Sequence, residues 1–181
     1  MKATIQEQVP IPEGVTASYQ NNVLVVEGKA GKVERTLIQP GIAISVKDNV
    51  VHLDAPNATQ REKRHLYTMR SHIRNMLQGA QEGHTYKLKV CSGHFPMNVS
   101  VSGDKLTVKN FLGEAVPRVL SLKQGAVVKL DGDIITVSAP SKEIAGQQAA
   151  DIEQLTRITN RDRRIFQDGL YIVEKDGRPI L

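Results

Sequence analysis

Short runs of alternating apolar and polar residues, separated by turn residues, make up most of the chain. Val15 to Tyr19 and Val23 to Glu27 lie on either side of one polar turn, and Val99 to Val101 and Leu106 to Lys109 lie on either side of another. The first turn is Gln20-Asn21-Asn22 and the second is Gly103-Asp104-Lys105. Alternation around Asn, Asp and Gly predicts β-hairpins. A further strand is predicted at Tyr86 to Val90.

The pattern also repeats itself along the chain. The segment Gly41 to Pro56 (GIAISVKDNVVHLDAP) matches Gly125 to Pro140 (GAVVKLDGDIITVSAP), 84 positions later. Upstream, Val23-Leu24-Val25 matches Leu106-Thr107-Val108 with a slip of one residue. Internal repeats of this kind indicate a duplicated supersecondary unit. Because proline cannot donate to a central ladder, we expect Pro56 and Pro140 to end their strands.

An apolar stripe at helical spacing follows each matched hairpin. The first helix is predicted to begin near Thr59, where Thr59-Gln60-Arg61-Glu62 fits a capping box. In the second copy, Ser141 is the expected cap. The predicted stripes are Leu66, Met69, Ile73, Met76 and Leu77 in the first copy and Ala145, Ala149, Ile152, Leu155 and Ile158 in the second.

These elements predict an α+β protein built from two tandem copies of one unit, an antiparallel sheet covered on one face by one helix. Gly79 to Gly83 is small and polar, so we place the boundary there, with an N-terminal lobe at 1–82 and a C-terminal lobe at 83–181. After the second helix, Asp168-Gly169 predicts a turn that leads into a terminal strand at Leu170 to Val173.

Composition favours an anionic partner. The net charge is +5 and the sequence pI is near 9.4. With no Trp, three Phe and four Tyr, the chain offers few aromatic platforms for single-stranded nucleic acid, so we expect any RNA binding to depend on shape and phosphates. One cysteine, no signal-like N-terminus and no membrane-length apolar run lead us to expect a cytoplasmic protein without a membrane partner.

The densest positive charge lies after the second helix. Four arginines and one aspartate lie between Arg157 and Arg164. Guanidinium groups hold phosphate oxygens in bidentate geometry, so this cluster is the best candidate for a nucleic-acid contact, although a solvated helix end has the same composition. The first helix also carries several arginines, but a charged outer face is usual for an amphipathic helix, and we do not assign a site there.

No pattern supports catalysis or metal binding. Cys91 and His94 have a Cys-x-x-His spacing, but no nearby residue completes a tetrahedral ligand set, and Cys91 is better interpreted as a packed thiol. Asp131 and Asp133 lie at a hairpin tip, where turn chemistry explains them. We therefore expect no enzyme activity, cofactor, metal or small-molecule substrate.

Several longer stretches resemble one family. Ser71 to Gly79 (SHIRNMLQG), Ser92 to Met97 (SGHFPM), and Gly146 to Gln154 running on through Asn160 to Ile172 are similar to the large-subunit ribosomal protein family L6, in its archaeal and eukaryotic branch. The similarity covers nearly the whole chain, including the duplication and Asn110 to Glu114. It implies a ribosomal structural protein of two similar α+β lobes.

The resemblance also implies a location and a set of contacts. Members of the family bind large-subunit ribosomal RNA near the factor-binding region, close to the sarcin-ricin loop and the stalk base, mainly through the C-terminal lobe, beside neighbouring ribosomal proteins. The glycine would permit close backbone approach, the two glutamines would form hydrogen bonds to backbone or sugar groups, and the arginines would neutralise phosphates. The residues placed at the RNA are Gly146, Gln147, Gln148, Arg157, Asn160, Arg161, Arg163 and Arg164.

Two other functions remain open from the sequence. The chain could be a protein-interaction scaffold without direct RNA contact, with its charge serving only solubility. An enzyme acting on a small acidic substrate would need a pocket with convergent polar groups.

Overall fold

The computed structural model describes residues 3–180, and contacts between Cα atoms divide the chain into two units. The first unit contains the residues up to Gly83 together with Pro140–Lys142. The second unit contains His84–Ala139 and the residues from Glu143 onward. Each unit has its own apolar core. No helix in the described part of the chain is both long and apolar enough to cross a membrane.

The first unit combines two three-stranded antiparallel sheets with one helix. The elements are β1 (Ala3–Pro10), β2 (Thr16–Gln20), β3 (Val23–Gly28), β4 (Gly31–Thr36), β5 (Ala43–Lys47), β6 (Val50–Ala58) and α1 (Gln60–Gln81). The strand orders of the two sheets are β1-β6-β5 and β2-β3-β4, and the helix contacts strands of both sheets.

The second unit repeats this plan and extends it. The elements are β7 (His84–Cys91), β8 (Asn98–Ser102), β9 (Lys105–Lys109), a 3-10 turn (Phe111–Gly113), β10 (Arg118–Ser121), β11 (Val127–Asp131), β12 (Ile134–Ala139), α2 (Lys142–Leu155), β13 (Gly169–Lys175) and β14 (Arg178–Pro179). The strand orders of its sheets are β10-β9-β8 and β11-β12-β7-β13-β14. In the second sheet β7 takes the place of β1, and β13 pairs with the other edge of β7.

The predicted fold class is confirmed: two tandem mixed units contain antiparallel sheets and one helix each. The 84-residue offset holds in the two cores. Alternate residues of β6 and their matches in β12 are all buried, as one face of a half-buried strand requires. These matched pairs are Val51 with Ile135, Leu53 with Val137 and Ala55 with Ala139.

The first hairpins of the two copies were predicted to match with a slip of one residue, and this prediction is wrong. Leu24 and Val26 are fully buried in β3, and the buried residues of β9 are Leu106 and Val108. Leu24 therefore corresponds to Leu106, which is an offset of 82. Because successive strand residues point to opposite faces, a slip of one would have turned the apolar side chains of this strand away from the core.

Both helices form where the apolar stripes predict them. Thr59 caps α1, with its backbone NH donating to a Glu62 carboxylate oxygen at 2.9 Å and its side chain accepting from the NH of Arg61 at 3.3 Å. All five residues of the predicted α1 stripe are buried. Ser141 directly precedes α2, whose Ala145, Ala149 and Ile152 are buried. Ile158, although packed against the core, lies beyond the end of the helix.

Pro140 comes directly after the last residue of β12, as predicted, but the prediction for Pro56 is wrong. β6 continues through Pro56 to Ala58. Its pairing with β1 jumps from Ala55 to Ala58, so the proline falls in a register shift where a ladder donor is not needed. The strand β1 itself was not predicted from the sequence, and it pairs with β6 along the edge of the sheet.

Candidate nucleic-acid interface

The candidate site is the loop between α2 and β13, residues 157–168, which we call the arginine loop. Its two ends are tied together. Thr156 Oγ1 accepts a hydrogen bond from the NH of Leu170 at 2.9 Å, and a Glu153 carboxylate oxygen accepts from the NH of Ile172 at 3.0 Å. Arg118 Nη1 also donates to the carbonyl of Leu155 at 2.8 Å. A loop closed in this way is a compact surface element rather than a free linker.

A buried carboxylate fixes the end of the arginine loop. The Asp168 side chain is only 2% exposed, and it accepts hydrogen bonds from the backbone NH of Gly93 and, at 3.1 Å, from that of His94. Its other oxygen lies 2.7 Å from Nδ1 of His94. Burial opposes ionisation of this group, but these hydrogen bonds outweigh it and hold the pKa of Asp168 below its usual value. The carboxylate therefore locks the Gly93-His94 turn against the arginine loop.

An aromatic stack supports one arginine. The His94 ring stacks on the Phe166 ring with centroids 4.8 Å apart and planes inclined by 26°. The Arg161 guanidinium carbon lies 4.8 Å from the centre of the same Phe166 ring. A guanidinium over an aromatic face is held electrostatically, so the Arg161 side chain is positioned before any partner arrives.

All four arginines of the arginine loop are exposed, but their surroundings differ. Arg164 forms an ion pair with Asp162, 2.7 Å between Nη2 and the carboxylate, although its side chain is 90% exposed. The hydrogen bonds between these two side chains lower the pKa of Asp162 and raise that of Arg164. Within residues 3–180, neither Arg157 nor Arg163 forms an ion pair. The arginine loop thus presents cations that an anionic partner can reach.

An open cleft of about 890 Å³ lies beside the arginine loop. It is lined by the end of β7 with the turn after it, from Lys89 to His94, by Arg163 to Ile165, Gln167 and Asp168 of the arginine loop, and by Tyr171 on β13. Burial raises the pKa of the Tyr171 hydroxyl, which donates to the carbonyl of Asp168 at 3.3 Å. The half-buried Cys91 lines this cleft. No group of three or more His, Cys, Asp or Glu able to hold a metal ion occurs among the described residues.

The structure places the predicted site residues in two groups. Arg157, Asn160, Arg161, Arg163 and Arg164 lie together in the arginine loop and are exposed. Asn160 has a left-handed backbone (φ 59°), which Asn adopts more readily than most residues, so the loop conformation itself favours this residue type.

The other three predicted residues lie on α2, and each has an intramolecular contact. A Cβ on Gly146 would lie 3.3 Å from the hydroxyl of Tyr86 on β7, so the glycine allows close packing of helix and sheet. Gln147 is exposed and donates to Asp151 at 2.7 Å. Gln148 is 0% exposed, and its carbonyl oxygen accepts from the backbone NH of Lys123 at 2.7 Å. In this arrangement the Gln148 side chain supports the fold.

Sequence reasoning missed the residues that hold the arginine loop in place. His94, Phe166 and Asp168 carry no charge cluster or motif, and the spacing of His94 from the single cysteine suggests only a metal ligand. Asp168 and Gly93 are 75 residues apart in the chain, so no local pattern connects them. The available signal was the joint presence of Ser92 to Met97 and Asn160 to Ile172 among the stretches that carry the family resemblance.

Comparisons with known proteins agree with this resemblance. The family model for ribosomal protein L6 matches residues 11–83 and again residues 95–169, one match for each copy. The chain is 47% identical to the large ribosomal subunit protein uL6 of Nanoarchaeum equitans, over 98% of this chain and 96% of that protein. It is 43% identical to the uL6 protein of Haloquadratum walsbyi, over 92% and 94% of the two chains. With the uL6 protein of Natronomonas pharaonis it shares 41% identity, over 96% and 98%.

Proposed function

This chain belongs to the ribosomal protein L6 family and is a structural ribosomal constituent, and from that premise we propose that it binds large-subunit ribosomal RNA mainly through its second unit. The arginine loop is the proposed contact surface. By family resemblance, the contact lies near the factor-binding region, at the sarcin-ricin loop and the stalk base, beside neighbouring large-subunit proteins. The division into lobes at 1–82 and 83–181 remains part of this proposal.

The observation that carries the proposal is the fixed position of the arginines. Exposed cations are common on protein surfaces and are usually mobile. Here Thr156 and Asp168, both buried, fix the two ends of the arginine loop, and Phe166 supports Arg161 within it. Positioned guanidinium groups bind phosphate oxygens with less loss of side-chain entropy than mobile ones.

The residues on α2 take different parts in this proposal. Gln147 is exposed on the helix surface and can reach a sugar or phosphate by exchanging its hydrogen bond with Asp151. Gly146 and Gln148 act through the fold instead, the first by its packing on Tyr86 and the second by its bond to the backbone of Lys123. The proposed contacts are therefore Gln147, Arg157, Asn160, Arg161, Arg163 and Arg164.

A charge-matched pair of triple variants tests the proposal. Arg161, Arg163 and Arg164 are replaced with Ala in one protein, and the exposed α1 residues Arg61, Arg64 and Arg74 in the other. Binding of the full chain to transcribed large-subunit ribosomal RNA is measured over a series of salt concentrations. Because each phosphate contact releases counterions, the first variant should bind more weakly, and the slope of log affinity against log salt should fall by about 2 to 3.

The α1 variant is the control, since it removes the same net charge from a regular helix surface. We expect its salt slope to stay close to that of the unchanged protein. Equal losses in both variants would show that only net charge matters. A chain that ignores this RNA at moderate salt but binds a ribosomal protein tightly would support the scaffold alternative.

A further inference from the structure

We propose that the cleft beside the arginine loop receives a single unpaired nucleotide of the bound RNA. The inference rests on the proposed function, because it assumes that the arginine loop faces RNA. A cleft of about 890 Å³ has the size of sites that enclose small ligands. A paired base stays inside its helix and cannot enter such a concavity, whereas a bulged or looped-out nucleotide projects from the RNA surface.

The charges of the cleft suit a phosphate at its rim. Lys89, Arg163 and Arg164 line it. In the described part of the chain, Lys89 and Arg163 form no ion pair with a carboxylate. Among the described residues that line the cleft, Asp168 is the one carboxylate, and its oxygens are already occupied by Gly93 and His94. The cleft therefore offers cations without a free competing anion.

The same walls also offer what a base requires. Ile165, between Arg164 and Phe166 in the sequence, is 64% exposed, and it lines the cleft together with Tyr171. These side chains give apolar surface for the face of a base. Gln167 lines the cleft as well, and its amide supplies both a donor and an acceptor for the edge of a base. That amide donates one long hydrogen bond, 3.3 Å to the carbonyl of Arg164, which a base can displace.

The cleft is formed without RNA. Asp168 holds the turn at Gly93 and His94, and the stack of His94 on Phe166 joins that turn to the arginine loop. A preformed site avoids part of the entropy that a mobile site loses on binding. Recognition of one unstacked nucleotide would add to the phosphate contacts, which carry no sequence information, and would fix the register of the protein on the RNA.

Photocrosslinking in intact large subunits tests this inference. The photoreactive residue benzoylphenylalanine replaces Ile165 in one protein, Arg157 in a second and the exposed β10 residue Val119 in a third. Crosslinked nucleotides are mapped by stops of reverse transcription. We expect position 165 to give a stop at one unpaired nucleotide, absent from the Val119 control, and position 157 to crosslink to the neighbouring backbone.

A second measurement covers the case in which the photoreactive residue distorts the cleft. The double variant Ile165→Ala with Gln167→Ala is assembled into subunits, and chemical reactivity of the mapped nucleotide is compared with that in unchanged subunits. We expect its protection to be lost while protection next to position 157 persists. Val119→Ala should change neither.

The outcomes separate the two proposals. Crosslinks from position 157 to RNA, with position 165 reaching only paired nucleotides or none, would overturn the nucleotide cleft and leave RNA binding by the arginine loop intact. Unchanged protection in the double variant would also overturn it. If neither position crosslinks to RNA, the proposed function fails, and the cleft proposal fails with it.

Discussion

The two units share a plan but differ in the segment after the helix. After α1 the chain passes directly into β7, whereas after α2 it forms the arginine loop and then β13, which pairs with β7. Exposed arginines are present in both units, on the outer face of α1 and in the arginine loop. The arginine loop is held at its two ends by hydrogen bonds of the buried side chains of Thr156 and Asp168. Positive charge alone therefore does not distinguish a binding surface from a solvated one.

The two units also differ in the polarity of their buried side chains. Among the described residues, all four buried polar side chains, His84, Gln148, Thr156 and Asp168, belong to the second unit. Thr156 and Asp168 hold the two ends of the arginine loop. Buried polar groups are costly unless they are hydrogen-bonded, and they tend to fix one particular geometry. The buried core of the first unit, by contrast, consists of apolar residues.

Replacing one glycine with alanine in each unit should give the largest difference in stability between the two units. A Cβ on Gly28 would overlap the carbonyl oxygen of Ala80 in α1, a backbone atom that cannot easily move. That oxygen also accepts from the NH of Ala30 at 2.9 Å. We expect Gly28→Ala to destabilise the first unit by about 3 kcal/mol. Urea unfolding gives the total change, and hydrogen exchange of β3, β4 and α1 shows where it occurs.

Gly146→Ala is the matched change in the second unit. Its Cβ would lie 3.3 Å from the Tyr86 hydroxyl, a side-chain atom that can give way, and alanine favours the helix by about 1 kcal/mol over glycine. We expect a net change below about 1 kcal/mol. Destabilisation as large as that of Gly28→Ala would contradict the assigned packing. A specific loss of RNA affinity would support the prediction from the sequence that Gly146 lies at the RNA.

Asp168→Asn should have an intermediate effect, confined to the second unit. The neutral amide accepts hydrogen bonds less strongly than the carboxylate, so we expect a loss of about 2 kcal/mol at neutral pH. The folded pKa of Asp168 lies below its unfolded value, so its contribution is present above about pH 4 and is lost as pH falls through the folded pKa. The difference in unfolding free energy between the two proteins should therefore shrink below about pH 4.

Asp131→Asn, at the exposed tip of a hairpin, is the control for this change. We expect its stability to follow that of the unchanged protein across the same pH range. A difference between the unchanged protein and Asp168→Asn that stays constant down to the acid transition would show that the carboxylate is not what stabilises the Gly93-His94 turn.

How well each feature can be predicted from the sequence depends on how far apart in the chain the interacting residues lie. Thr59 and Glu62 are three residues apart, and the α1 stripe is periodic, so both are visible in the local sequence. The arginine loop is visible as a charge cluster. By contrast, the bond from Gly93 to Asp168 spans 75 residues, and the burial of Gln148 depends on Lys123 in a distant turn. The prediction for Pro56 is wrong because β6 has one extra residue in its pairing with β1, where Pro56 and Asn57 lie opposite Thr4 alone, and β1 itself was not predicted.

Gln148→Met is expected to have the smallest effect, and it tests how far the cores are interchangeable. The buried positions Ala145, Gln148 and Ile152 have the same spacing as the buried Leu66, Met69 and Ile73 in α1, where a methionine occupies the middle position. The change removes the acceptor of the Lys123 NH, which costs about 1 to 3 kcal/mol. It also removes the Gln148 Nε2, a buried donor without a partner among the described residues, and adds buried apolar surface.

These opposing contributions should leave the unfolding free energy within about 1 kcal/mol of that of the unchanged protein. RNA affinity should not change, because the Gln148 side chain has no exposed surface to offer. Gln147→Met is the matched control on the exposed side of the same helix, and it should weaken RNA binding if Gln147 makes the proposed contact. Weaker binding from Gln148→Met with unchanged stability would contradict the assignment of Gln148 to the fold, and it would support the prediction from the sequence that this residue lies at the RNA.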